Sequence, residues 1–198
     1  MENKTLLQLN RTIRVNSLIP KEFCYYFTHV LLRAADLDCV KDDTQVPTAK
    51  AVIKSSIIFD ALQERLWSTI ENIIGEELLP TCSYSRLYSN GDVLKEHIDR
   101  PACEVSVTLQ LGRSHNYSWP IYMEGARFDL NEGDAVIYEG CEAKHWREIC
   151  QGPEGYYSGQ VFLHFVRKNG SNVWEAGDST NRKPPPYDIN RTAQMENK

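Results

Sequence analysis

Glu104-Val105-Ser106-Val107-Thr108-Leu109-Gln110-Leu111 alternates polar and apolar side chains without a break. Successive side chains of an extended chain point to opposite faces, so this spacing predicts a half-buried β-strand. Reading outward, Tyr84, Arg86 and Tyr88 alternate with Ser83, Ser85 and Leu87, which predicts a second strand opening near Thr81. Further short strands are expected over 127–130, 134–138, 145–150 and 157–167, punctuated by glycines at 125, 133, 140, 152 and 155. Many short strands joined by turns point to a sandwich, barrel or jelly roll. The N-terminal part changes period. Phe23, Phe27 and Leu31 recur every four residues after Pro20, a residue tolerated in a first helical turn. Leu62, Leu66, Ile70 and Ile74 repeat the pattern, and Gly75 is placed to stop that helix. Residues 37–59 read as loop and short strand. The expected class is α+β with a mainly β core. One domain spans 1–180, with helical support over about 20–80 and the β core over about 81–168. Residues 181–198, polar and rich in proline, read as a surface arm.

Composition narrows the function classes. The chain has 198 residues, 41% hydrophobic and 25% charged, which suits one folded domain rather than a disordered or fibrous chain. A net charge of -5 argues against nucleic acid or an anionic membrane as partner. Six cysteines without a CxxC pair need not form a disulfide framework, and a reducing compartment is the simpler expectation. The first twenty residues lack the apolar run of a secretory signal, and no apolar stretch is long enough for a bilayer. A cytoplasmic protein without a membrane partner is therefore expected.

Five histidines are present, and their positions carry the chemistry. In His97-Ile98-Asp99, residues i and i+2 of an extended segment project together, so an imidazole and a carboxylate can share one metal ion. A further histidine would complete a two-histidine, one-carboxylate face, the donor set of non-heme Fe(II) centres that keep open positions. His115 lies in a loop-like stretch, His164 inside an apolar strand reads as a satisfied core residue, and His29 sits on the first helix. His145, which opens a strand after the unit 132–140, is the best placed third ligand. Arg147 is again at i+2, on the face of His145. An arginine beside a metal implies an anion there, because its guanidinium forks onto a carboxylate. The competing reading is a surface salt bridge, for instance to Glu148.

The segment Tyr88-Ser89-Asn90-Gly91-Asp92-Val93-Leu94-Lys95-Glu96-His97-Ile98-Asp99 resembles that of the Fe(II)- and 2-oxoglutarate-dependent dioxygenases, and is most similar to their prolyl-4-hydroxylase-like group. Gly133–Tyr138 followed by His145 resembles the strand and turn before that family's distal histidine, and Val161–Val166 its last core strand. The resemblance covers about 81–168. It implies a double-stranded β-helix (jelly-roll) core, Fe(II) held by His97, Asp99 and His145, and 2-oxoglutarate and O2 as co-substrates, with ascorbate admissible as an accessory reductant. It implies that Tyr88 contacts the co-substrate and, more loosely, that Gln110 does. It departs from the family pattern at one place. The family's basic residue for 2-oxoglutarate commonly follows the distal histidine by nine or ten positions, where this chain has Glu154 and Gly155. Arg147 is the replacement assigned by the strand-face argument, with Arg167 and Lys168 as alternatives. The implied reaction is hydroxylation of a C–H bond with conversion of 2-oxoglutarate to succinate and CO2. The implied substrate is a prolyl or other peptidyl residue, a protein, a free amino acid or another small molecule.

Two other readings stay open on sequence grounds: a non-catalytic jelly roll holding Zn2+, and a nucleic-acid dealkylase of the same superfamily. Arg86 shares its strand face with Tyr88 and is a candidate for the pocket wall. Trp119 and Tyr122 read equally as core or pocket, Trp146 as packing away from the metal, and segment 37–49 as a connector rather than a lid.

Overall fold

The computed structural model describes residues 5–37 and 43–177. Its elements run α1 (Leu6–Asn10), β1 (Thr12–Val15), α2 (Lys21–Asp36), β2 (Ala51–Lys54), α3 (Ile57–Ile74), β3 (Leu78–Ser89), β4 (Leu94–His97), β5 (Val105–Arg113), β6 (Ile121–Met123), β7 (Ala126–Phe128), β8 (Ala135–Glu139), β9 (His145–Arg147) and β10 (Tyr157–Arg167). A 3₁₀ turn, Pro101–Cys103, separates β4 from β5, and a second spans Val173–Glu175. Six strands form one sheet in the order β1-β8-β5-β10-β3-β2, and four form another in the order β4-β9-β6-β7. All pairings are antiparallel. The expected jelly roll is therefore present, while the proline-rich arm lies outside the described residues.

Alternation along the central strands sorts side chains into two cores. Val105, Val107, Leu109 and Leu111 of β5 join Val161, Leu163 and Phe165 of β10 on the face that packs against Leu31 of α2 and Leu66 and Ile70 of α3. Helix α3 starts at a Ser56 cap, whose hydroxyl accepts from the Phe59 N–H, and ends at Gly75 in the left-handed conformation (φ 74°). The other face of the large sheet turns inward toward the small one. There Tyr84, Tyr88 and Phe162 pack with Leu94 and Trp119, and Val136 and Tyr138 with Ile121 and Met123.

Three expectations change. The β5 strand is buried on both faces, because the small sheet covers its polar side, so Ser106, Thr108 and Gln110 are interior residues. Phe23 is exposed, and the buried stripe of α2 runs through Cys24, Phe27, Thr28, Leu31 and Ala34. The chain also contains α1, β1 and β6, short elements whose pairing depends on distant partners. Of segment 37–49, residues 38–42 lie outside the described residues, while Val46 and Ala49 are packed beside Tyr88.

Arg167, at the end of β10, is bound to Glu76, Glu104 and Glu139 at 2.5, 3.0 and 2.5 Å, and Lys168 to Glu77 at 2.9 Å. Removing the one cation paired with these three partly buried carboxylates among the described residues leaves them without that partner. Arg167→Ala is expected to lower the unfolding free energy by about 3 kcal/mol, read from urea titrations.

Candidate metal centre

The antiparallel pairing of β4 with β9 sets His97 directly opposite His145. A register shift between Leu94 and His97 leaves two residues of β4 facing one of β9, a bulge that re-aims the imidazole at the strand end. The two rings lie 4.2 Å apart between centroids. His97 Nδ1 meets the Lys95 carbonyl at 2.8 Å and His145 Nδ1 meets the Ala143 carbonyl at 2.9 Å. With Nδ1–H donating to a carbonyl, each ring turns Nε2 outward with its lone pair free. Both Nε2 atoms face Asp99 Oδ1, at 3.7 Å from His97 and 3.6 Å from His145. Ligand bonds of about 2.1 Å place adjacent octahedral ligands about 3 Å apart, so a modest contraction closes this face on an ion. Burial lowers the His145 pKa, which keeps the ring in the neutral form that a metal binds.

Asp99 is held from two sides. Its backbone N–H donates to the Gly140 carbonyl at 2.8 Å, and its Oδ2 accepts from the Ser106 hydroxyl at 3.1 Å. Gly140 must be glycine, because a Cβ there would overlap the Cys103 carbonyl oxygen and crowd Ser106 and Asp99. The three ligand residues open on a cavity of about 480 Å3, whose wall also includes Arg86, Tyr84, Thr108 and Phe162.

Tyr88 and Arg147 lie deeper, between the sheets, and neither lines that cavity. The Arg147 guanidinium sits 4.9 Å above the Trp119 ring and 5.8 Å from that of Tyr88. Arg147 is only 2% exposed. Its Nη1 donates to the Trp119 carbonyl at 2.6 Å, its Nε has no hydrogen-bond partner, and no carboxylate pairs with it among the described residues. Burial accordingly pulls its pKa down from the usual arginine range. Arg86, equally buried, contrasts with it: Nε and Nη2 bind Asp43 at 2.5 and 3.1 Å, and Nη1 donates to the Tyr88 hydroxyl at 2.8 Å. Gln110 is apart from both, donating to Ser158 and Gly159 and accepting from Gln160, whose own Oε1 is an orphan. The alternatives Arg167 and Lys168 are committed to carboxylates elsewhere. Trp146 stacks on Tyr122 at 5.4 Å, away from the ligands as expected, and Trp119 is core.

Sequence reasoning missed Ser106 and Asp43. The signal for Ser106 was present, since it opens the polar face of β5, but that face read as solvent-directed. Nothing local announces Asp43, whose partner is 43 residues away.

No protein-family profile matches the chain, and no curated protein matches it in sequence. Solved structures match it in fold. A Pseudomonas putida prolyl-4-hydroxylase superposes with a TM-score of 0.61 at 15% identity, over 81% of this chain and 95% of that one. HygX from Streptomyces hygroscopicus, with nickel, 2-oxoglutarate and hygromycin B bound, gives 0.62 at 11% identity over 83% and 86%. NgTET1 in complex with 5mC DNA gives 0.60 at 13% identity over 80% and 72%. The chain thus has the double-stranded β-helix fold of these proteins, with a His-Asp-His group lining its cavity. No helix among the described residues is long and apolar enough to cross a membrane.

Ser106→Ala removes one hydroxyl from a tightly packed site and leaves Asp99 Oδ2 without that donor. Metal affinity at the His97–Asp99–His145 face is expected to fall about 10- to 100-fold, measured by anaerobic Fe(II) titration, with the circular dichroism spectrum unchanged.

Proposed function

We propose that the chain is an Fe(II)- and 2-oxoglutarate-dependent oxygenase that hydroxylates a C–H bond of a peptidyl residue or free amino acid. The observation that carries this reading is Arg147, a buried cation with no carboxylate on it among the described residues, two residues beyond His145. A metal module with a purely structural role has no use for such a charge, and its burial costs several kcal/mol. A dicarboxylate that chelates the ion at one end and meets a guanidinium at the other supplies the missing anion. The orphaned Nε of Arg147 and the Tyr88 ring beside it support that fit. Bound Fe(II) with 2-oxoglutarate and dioxygen supplies the oxidative decarboxylation to succinate and CO2 and the insertion of oxygen into the C–H bond.

The chain's own residues do the rest. His97, Asp99 and His145 would hold Fe(II) through two imidazoles and one carboxylate, a donor set that keeps coordination positions free for co-substrate and dioxygen. Ser106 and Gly140 orient the carboxylate. Arg147, stacked on Trp119 behind the cavity wall, would take the distal carboxylate once the wall beside Leu94 and Phe162 opens toward it. Arg86, neutralised by Asp43, shapes the substrate side of the cavity without adding net charge. Leu94, Ile121 and Phe162 exclude water from the reacting centre. The net charge of -5 supports a peptide or amino acid over nucleic acid as substrate.

Anaerobic addition of Fe(II) and 2-oxoglutarate is expected to produce a weak visible metal-to-ligand charge-transfer band. Bound iron without that band would sink the oxygenase reading. Arg147→Ala should raise the Kd for 2-oxoglutarate on the order of a hundredfold, about 3 kcal/mol, with iron retained. Arg147→Met should also stabilise the ligand-free chain by about 1–2 kcal/mol, because it removes an uncompensated buried charge. Turnover with proline-containing peptides and free amino acids, followed as succinate, identifies the substrate.

A further inference from the structure

A second group of donors faces the same cavity. Cys82 of β3, Cys103 of the 3₁₀ turn and His164 of β10 are all buried, and one ligand atom from each lies within 4.8 Å of the other two. Their convergence is built by specific bonds. Between Leu163 and Phe165 the β10–β3 register shifts, so that Thr81 and Cys82 together face His164. This bulge leaves carbonyls out of the ladder, and the buried Gln63 of α3 donates to two of them, Cys82 at 3.2 Å and His164 at 2.6 Å. Thr81 then donates to the Ala102 carbonyl at 2.6 Å, which draws the turn carrying Cys103 against the strand carrying Cys82. His164 Nδ1 meets the Ser106 hydroxyl at 2.9 Å. A proton on Nδ1 given to that oxygen leaves Nε2 with its lone pair, the form of imidazole that a metal takes.

We propose that Cys82, Cys103 and His164 form a second metal site, taking Zn2+ through two thiolates and one imidazole, with its fourth position turned to the cavity. Zn–S bonds of about 2.3 Å and Zn–N bonds of about 2.0 Å hold tetrahedral ligands about 3.5–3.8 Å apart, so the observed spread closes with side-chain shifts of an ångström or less. The donor set differs from that of His97, Asp99 and His145. Two soft sulfurs select Zn2+, while the nitrogen and oxygen face accepts Fe(II). The hydrogen bond from the Cys103 thiol lowers the Cys82 pKa, its burial opposes this, and the Arg100 cation acts with the hydrogen bond. Metal binding releases the Cys103 proton, and the pair becomes a dithiolate neutralised by the ion. The site is separate from the proposed iron site but shares Ser106 with it, since that hydroxyl touches both His164 and Asp99.

Co(II) replaces both metals and distinguishes them, because only thiolate ligation gives an intense near-ultraviolet sulfur-to-cobalt charge-transfer band. The full-length chain, purified anaerobically and stripped with a chelator, is titrated with Co(II). The band is expected in the wild type and in His145→Ala, and is expected to vanish in Cys82→Ser and in Cys103→Ser. Its absence from the wild type at saturation, or its survival in both cysteine variants, overturns the assignment. A measurement on the wild type alone guards against variants that misfold. Zn2+ should slow alkylation of Cys82 and Cys103 about tenfold or more and leave the partly exposed Cys141 unaffected. Equal alkylation rates with and without Zn2+, or a Cys82–Cys103 disulfide in the anaerobically purified chain, overturn it as well. None of these readouts involves 2-oxoglutarate, so failure here leaves the oxygenase reading standing, and the converse holds.

Discussion

Asp99 ties the two sheets to one point in space. Its Oδ1 faces the two imidazoles of the small sheet, its Oδ2 takes the hydroxyl of Ser106 from the large sheet, and its N–H is fixed by Gly140, just beyond β8. The carboxylate can serve as a ligand only if both sheets keep their spacing, and that spacing is set by the apolar contacts between them. Val136 and Tyr138 on one side, and Ile121 and Met123 on the other, fill the gap beside His145. The helices contribute at one remove. They pack against the outer face of β5 and β10, whose inner face carries Ser106 and His164.

Periodicity made the central part of this architecture legible. The eight-residue alternation at Glu104–Leu111 and the apolar run at Val161–Val166 are local signals, and both become strands of the large sheet. The grouping of His97, Asp99 and His145 was legible for a related reason. Two residues apart on an extended chain is a geometric statement, and it placed His97 beside Asp99 before any tertiary contact was known. His145 followed from the small number of histidines and from its position after a turn. What stayed hidden depends on contacts distant in sequence. Whether the polar face of β5 meets water or a second sheet cannot be read from β5 itself. The ion pair of Asp43 with Arg86, the approach of Cys103 to Cys82 and the clip from Gln63 all join residues whose proximity exists only once the sheets have paired. Phe23 shows the opposite error, since a four-residue spacing continued one turn past the buried stripe of α2.

Arg86 and Arg147 differ in how the fold satisfies their charge. Both are buried arginines that face the inside of the jelly roll, and both pack against Tyr88. Arg86 carries a carboxylate on its fork, two tyrosine hydroxyls and Gln45, so its charge is satisfied by the fold. Arg147 has one carbonyl and two aromatic faces, which offset only part of the desolvation of a guanidinium. Under the proposed reading a ligand makes this deficit good, because an uncompensated buried charge confers no stability of its own.

Charge balance across the interior then constrains what can bind. Under the proposed reading, a dipositive ion at His97, Asp99 and His145 keeps one net positive charge after Asp99 is counted, and Arg147 adds another. A dianion that bridges the two brings the buried site to neutrality, whereas a monocarboxylate leaves a full charge in a low-dielectric interior. Under the same reasoning, two thiolates at Cys82 and Cys103 neutralise a Zn2+ ion by themselves, so the second site needs no further anion and leaves the first undisturbed. Arg86 and Asp43 cancel between them. Each buried charge in the cavity region thereby finds its complement locally, and the preference for a dicarboxylate co-substrate follows from electrostatics before any contact with it is specified.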